Sequence, residues 1–176
     1  MSGHNKWSQI KRQKGKTDGE KSKAYSKYAR LISMESKKAN GNVSSPSLSG
    51  IIEKAKKENV PKDVIDRAVK KGMEAGTGTM ESITYEAYGP GRCAMVIEAL
   101  TDNRNKAAQE IKHILIEYGI TLAGIGSATW AFSKSGREWA PTVTVPVSDE
   151  DIATLEKVVS GLEDNDEVQA VFINAE

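Results

Sequence analysis

Apolar residues along the chain follow two rhythms. Between residues 24 and 72 they recur every three or four positions. Tyr25, Tyr28, Leu31 and Ile32 mark one face of a helix predicted over 24–39, which Asn40-Gly41-Asn42 stops. Leu48, Ile51, Ile52 and Ala55 then fall at i, i+3, i+4 and i+7, a single buried stripe. Pro46, after Ser45, suits the first turn of that second helix. A third helix starts at Val60-Pro61 and buries Val64, Ile65, Ala68 and Val69. It closes on Lys70-Lys71, with Gly72 as its stop. Three such helices make a small domain whose polar faces are rich in lysine.

After residue 81 the period shortens. Ile83, Tyr85 and Ala87 alternate as a short strand, and Tyr88-Gly89-Pro90-Gly91 is a turn. Residues 93–100 read as a buried strand. A helix over 102–118 points Ala107, Ala108, Ile111, Leu115 and Tyr118 inward and ends at Gly119. Residues 128–132 are a strand candidate, and 142–147 alternate Val143, Val145 and Val147. Ser148 caps a helix over 149–161, with Asp151 at the capping-box position and Ile152, Leu155, Val159 and Leu162 inward. Residues 168–173 form the last strand. The order from Cys93 is β-α-β-β-α-β, the split βαβ pattern of ferredoxin-like domains, so the chain is expected to be α+β. Pro146 falls in a strand that is central in that topology, and must sit at its end or at a bulge.

Net charge changes the picture. The total is only +1, but residues 1–80 hold 18 Lys/Arg and 8 Asp/Glu, a balance of +10. Residues 81–176 hold 7 and 16, a balance of −9. One half is built to meet polyanions. Residues 1–23 read as a flexible basic arm carrying Lys6, Lys11, Arg12, Lys14, Lys16, Lys21 and Lys23, in which, after Met1, apolar residues are sparse, just Trp7 and Ile10. The excess continues through Lys27, Lys54, Lys56, Lys57, Lys62, Arg67, Lys70 and Lys71. Trp7, Tyr25 and Tyr28 either stack on unpaired bases or pack into a core. The expected organisation is arm plus helical domain over 1–72, a Gly/Thr linker over 73–81, and an acidic α+β domain over 82–176.

Catalysis and metal binding find little support. Cys93 is the single cysteine, which excludes an intrachain disulfide. It begins an apolar strand and reads as a small core residue rather than the thiol of a Cys93–His113 pair. With only His4 and His113 beside it, no zinc set forms. Gly76-Thr77-Gly78 and Gly124-Ile125-Gly126 lack a nucleotide fingerprint or a Walker lysine. The acidic runs at 149–151 and 163–167 match no calcium loop. No metal, cofactor or small-molecule substrate is expected. The longest charge-free stretch, 118–133, is too short for a membrane span. With no apolar signal segment either, the expected location is the cytoplasm.

Thr101-Asp102-Asn103-Arg104-Asn105 stands where a strand ends and a helix begins. It is either a cap made by Thr101 or Asp102, or an anion site at a helix N-terminus reinforced by Arg104.

Several of these motifs together resemble the YebC family, which includes the mitochondrial translational activator of cytochrome c oxidase subunit one. The resemblance rests on Gly3-His4-Asn5-Lys6-Trp7 with Ile10-Lys11-Arg12, on residues 21–27, and on Ile52-Glu53-Lys54-Ala55-Lys56. It continues in Val60-Pro61-Lys62-Asp63, in Ile65 and residues 67–72, and in Tyr85-Glu86-Ala87-Tyr88-Gly89-Pro90-Gly91. Residues 98–105, with Leu162-Glu163-Asp164 and Asp166-Glu167-Val168-Gln169, complete it. Family members usually carry a third α/β domain between positions equivalent to Phe132 and Val147, where this chain has a short bridge.

The resemblance implies a non-enzymatic role. Members are labelled transcriptional regulators that bind DNA, while others act in translation on the ribosome and relieve stalling at proline runs. It implies that His4 and Trp7 lie closest to nucleic acid. It also implies that Tyr88, Gly89, Pro90, Gly91, Asn103, Arg104 and Asn105 face a cleft between domains. The expected partners are ribosomal RNA or DNA, and the ribosome. RNA fits the charge pattern better, because no base-reading helix-turn-helix stands out.

Overall fold

The computed structural model describes residues 18–76 and 78–176. These divide into two compact units, one reaching to Glu81 and the other covering Ser82–Glu176.

The first unit is three helices, α1 (Asp18–Lys38), α2 (Pro46–Lys57) and α3 (Lys62–Met73). Helix α1 begins well before its apolar stripe. Asp18 and Glu20 occupy its first turn, where carboxylates meet the positive end of the helix dipole. Lys21 pairs with Asp18 at 3.5 Å. Residues 18–23, assigned to the arm for their polarity, are therefore helical, in a solvated turn that hydrophobic periodicity cannot register. Asn40 and Gly41, with φ of 48° and 74°, end α1 in the left-handed region, as the sequence suggests. Ile32, Leu48, Ile51, Ala55, Val60, Ile65 and Ala68 form the core, with Tyr25 and Tyr28 packed against it.

Helices α1 and α3 meet through small residues. Ser33 Oγ donates to the Ala68 carbonyl at 2.9 Å, and Ser36 Oγ to that of Val69 at 2.7 Å. Gly72 lies inside α3 and does not stop it. A Cβ there would stand 2.4 Å from the Ser33 carbonyl oxygen, so glycine is needed for close approach. Glu35 is buried and ties α1 to α2, accepting from Ser47 Oγ at 2.7 Å and Lys38 Nζ at 3.0 Å.

The second unit is built on a four-stranded sheet. Its strands are β1 (Glu81–Tyr88), β2 (Ala94–Thr101), β3 (Leu122–Ala123) and β6 (Val168–Ile173), in the order β3-β1-β2-β6. A tight turn closed by Gly89 N–H donating to the Cys93 carbonyl at 2.9 Å joins β1 to β2. Because β3 is antiparallel to β1, it runs parallel to β2. Helix α4 (Arg104–Ile116) makes that crossover, so the split βαβ unit is present with β1 as the intervening strand.

Residues 142–147, expected at that central place, form no strand. Val145 makes a single parallel bridge to Ala175. Pro146 leaves an amide without a donor within this stretch, which cannot sustain a central ladder. The candidate strand at 128–132 is instead a 3-10 turn, Thr129–Ala131, leading into β4 (Phe132–Ser135). With β5 (Glu138–Pro141), β4 forms a hairpin about Gly136, whose φ is 60°.

Strand β2 is covered on both faces. Met95, Ile97 and Ala99 meet Ile111 and Leu115 of α4, and Leu155, Val158 and Leu162 of α5 (Asp149–Glu163). Ala94 and Val96 meet Ala128, Ala131, Phe132 and Trp139 on the other side. Ser148 caps α5 as expected: it accepts from Asp151 N–H at 3.1 Å while its own N–H reaches Asp151 Oδ2 at 3.4 Å. No helix among the described residues is long and apolar enough to cross a membrane.

Candidate nucleic-acid interface

Lysines gather at both ends of α3. At one end, Lys54 and Lys57 close α2, and five residues after Lys57, Lys62 opens α3. All three are exposed and engage no carboxylate among the described residues. Lys56, exposed in the same turn, joins them. At the other end, Lys70 and Lys71 fill the last turn of α3. The crossing at Gly72 brings the end of α1 alongside, with exposed Lys37 and Lys38. These two border a shallow depression of about 170 Å³ floored by Ser33, Met34 and Gly72. They were not among the expected contacts; their place in the last turn of a basic helix was the available signal. The two groups stand roughly 15 Å apart along the helical rise.

Helix dipoles account for part of this pattern, since lysines are favourable at C-terminal ends. The dipole gives no reason for Lys62, which sits at the opposite pole of α3. The other expected contacts sit differently. Lys21 is held by Asp18, and Arg67 by Asp63 at 3.0 Å. Lys23 lies exposed and Lys27 half-buried on α1. His4, Lys6, Trp7, Lys11, Arg12, Lys14 and Lys16 lie outside the described residues.

In the acidic unit, the Tyr88–Gly91 turn packs tightly. A Cβ on Gly91, whose φ is 67°, would come 2.6 Å from Val147 Cγ1; one on Gly89 would come 3.0 Å from Leu155 Cδ2. Both glycines have a structural reason to be there. At the start of α4 the cap is Asn103, whose side chain accepts from Lys106 N–H at 3.1 Å. Thr101 Oγ1 instead accepts from Asn103 N–H at 2.9 Å. The cap is therefore neither Thr101 nor Asp102, because the helix begins two residues later than the sequence pattern places it. Asn103, Arg104 and Asn105 are exposed. They stand at the opposite end of β2 from Tyr88, Gly89, Pro90 and Gly91, roughly 25 Å away along the strand. The structure does not bring these two segments together.

Cys93 is fully buried, and burial pushes its thiol up to about 11, so it is protonated at neutral pH. His113 projects from α4 into solvent and meets Glu117 at 3.5 Å. The two form no nucleophile–base pair. No group of His, Cys, Asp and Glu among the described residues could hold a metal ion.

Residues 5–75 match the TACO1/YebC protein N-terminal domain, and residues 80–137 match the TACO1/YebC second and third domain. The chain belongs to the TACO1/YebC family. A relative from Fervidobacterium nodosum, named "Probable transcriptional regulatory protein", is 41% identical over 175 residues, covering 98% of this chain and 69% of the relative. One of the same name from Petrotoga mobilis is 42% identical, covering 95% and 66%. For one from Thermotoga petrophila the identity is 44%, over 77% of this chain and 54% of the relative. This chain thus spans between about half and two thirds of the length of these TACO1/YebC relatives. The crystal structure of a conserved hypothetical protein from Aquifex aeolicus superposes with a TM-score of 0.83 at 27% identity, covering 97% of this chain and 96% of that one.

Proposed function

We propose that this TACO1/YebC member is a non-enzymatic, cytoplasmic, nucleic-acid-binding regulator of gene expression that acts on RNA at the ribosome as a translation factor. The observation that carries this reading is the pair of exposed lysine groups at the two ends of α3, in a half-chain with a balance of +10. Lysines spaced in this way meet phosphates rather than bases.

The outer face of α3 supports RNA over a sequence-read duplex. The helix contains neither Asn nor Gln, the residues that read adenine. Its one arginine, Arg67, is already forked onto Asp63. The printed names of the relatives favour a second reading, a DNA-binding transcriptional regulator.

The test replaces Lys54, Lys57 and Lys62 by Gln in the full chain and measures binding to ribosomal RNA and to duplex DNA across a salt series. We expect RNA binding to weaken at least tenfold and the salt slope to fall by about 3, with an unchanged thermal midpoint. Unchanged RNA binding contradicts the assignment of these lysines. A specific duplex site that survives competitor DNA favours the second reading.

A further inference from the structure

Helix α1 turns one face to the depression beside Gly72. Ser33, Met34, Lys37 and Lys38 fall at i, i+1, i+4 and i+5, so the lysines stand one turn beyond the serine and the methionine. Gly72, at the end of α3, and residues 78–80 of the same unit complete the lining. Gly72 brings no side chain, and Ser33 Oγ is turned to the Ala68 carbonyl. The apolar lining therefore comes from two thioethers, those of Met34, 7% exposed, and of the half-buried Met80.

Size limits the occupant. Sites for drug-sized molecules begin near roughly 300 Å³, and a partner's helix needs a long groove. The space here, about 170 Å³, takes a single ring system. Methionine favours an aromatic one, because its sulfur is polarisable and its chain adapts to a ring face.

Charge says what the ring is attached to. Residues 33–38 and 70–80 hold four lysines, Lys37, Lys38, Lys70 and Lys71, against two carboxylates, Glu35 and Glu74. Glu35 is buried and engages Lys38 at 3.0 Å, yet the Lys38 side chain stays 63% exposed. An aromatic ring carried on an anionic chain answers both features. The pocket itself disfavours a bare phosphate, because α3 ends beside it and its last carbonyls carry partial negative charge. That end suits the N–H edge of a base, and leaves the phosphates to the lysines. No Asn, Gln, Asp or Glu lines the space, so the ring is held rather than the identity of the base read.

We infer that this depression takes one unpaired nucleobase of single-stranded RNA against Met34 and Met80, with the flanking phosphates on Lys37, Lys38, Lys70 and Lys71. The inference rests on the nucleic-acid reading above and adds a base contact to its phosphate contacts.

The test is solution NMR of the full chain with isotope-labelled methionine methyl groups. Met95, fully buried in the second unit, is the internal reference. Oligoadenylate should shift the Met34 and Met80 methyl resonances upfield and saturably, through the ring current of the base, and leave Met95 in place. Inorganic polyphosphate, which has the charge and no ring, should bind without that shift. Met80→Ala should weaken oligoadenylate about fivefold and leave polyphosphate unaffected. Lys70→Gln with Lys71→Gln should weaken both probes. The inference fails if oligoadenylate leaves Met34 and Met80 unmoved, or if polyphosphate shifts them equally. It also fails if an acidic peptide of glutamate and leucine moves them and oligoadenylate does not, since the occupant is then a protein. The proposed function fails by a different signal, unchanged ribosomal RNA binding when Lys54, Lys57 and Lys62 are replaced. RNA binding that depends on those lysines while both methionines stay unmoved would sink the base pocket alone.

Discussion

At the scale of single residues, Glu86 has the most to do. The N–H groups of Gly126, Ala128 and Thr129 donate to its buried carboxylate and lose their acceptor in Glu86→Ala, a cost of about 2–4 kcal/mol in denaturant unfolding. Burial alone would raise its pKa, but these donors outweigh burial. Its pKa is depressed in the folded state, so its contribution is full above the ordinary glutamate value of the unfolded chain and is lost as pH falls through the lower folded value. Stability should therefore fall in acid, and Glu86→Gln should flatten that fall while lowering stability at neutral pH. An equal acid slope in both proteins would contradict the assignment. The sequence marks Glu86 only as the polar member of an alternation between Tyr85 and Ala87. Its burial comes from a second layer some forty residues later, which local pattern cannot supply. Cys93 was legible as a core residue because its neighbours are apolar, and its raised thiol follows from the same burial.

Among the elements, the crossing of α1 and α3 carries the sharpest stability prediction. Gly72→Ala drives a methyl into the Ser33 backbone and should cost about 2–3 kcal/mol. Gly50→Ala, in α2 with nothing within 4 Å, should stabilise by about 0.5–1 kcal/mol. Thermal unfolding of the two variants separates close approach from simple helix propensity. Period and caps made most elements readable: α2, the Ser148 capping box and β6 stand where the pattern put them. Residues 18–23 were lost because a helical turn without apolar positions has no stripe. The β4–β5 hairpin was lost because Ser133–Pro141 offers only Trp139 to its packed face. Alternation of Val143, Val145 and Val147 suggested a strand that Pro146 interrupts, and β1 takes the central place instead. The cap at Asn103 was missed because Thr, Asp and Asn are all good caps, and only the helix start chooses among them.

For the whole molecule, charge is segregated, with a balance of +10 over residues 1–80 and −9 over residues 81–176. It was fully legible, since counting Lys, Arg, Asp and Glu in each half requires no structure. Less legible was how the cations cluster, because Lys37 and Lys38 reach Lys70 and Lys71 only through the Gly72 crossing. The central claim is that the basic half anchors this TACO1/YebC protein to ribosomal RNA. Its most direct test is co-sedimentation of the full chain with purified ribosomes at low and moderate salt, beside a full-length variant carrying Lys11→Glu, Arg12→Glu and Lys14→Glu. The account predicts that the unaltered protein pellets with ribosomes at both salts, while the variant stays in the supernatant with its thermal midpoint unchanged. Equal pelleting of the two proteins, or neither pelleting while duplex DNA is still bound, would contradict it.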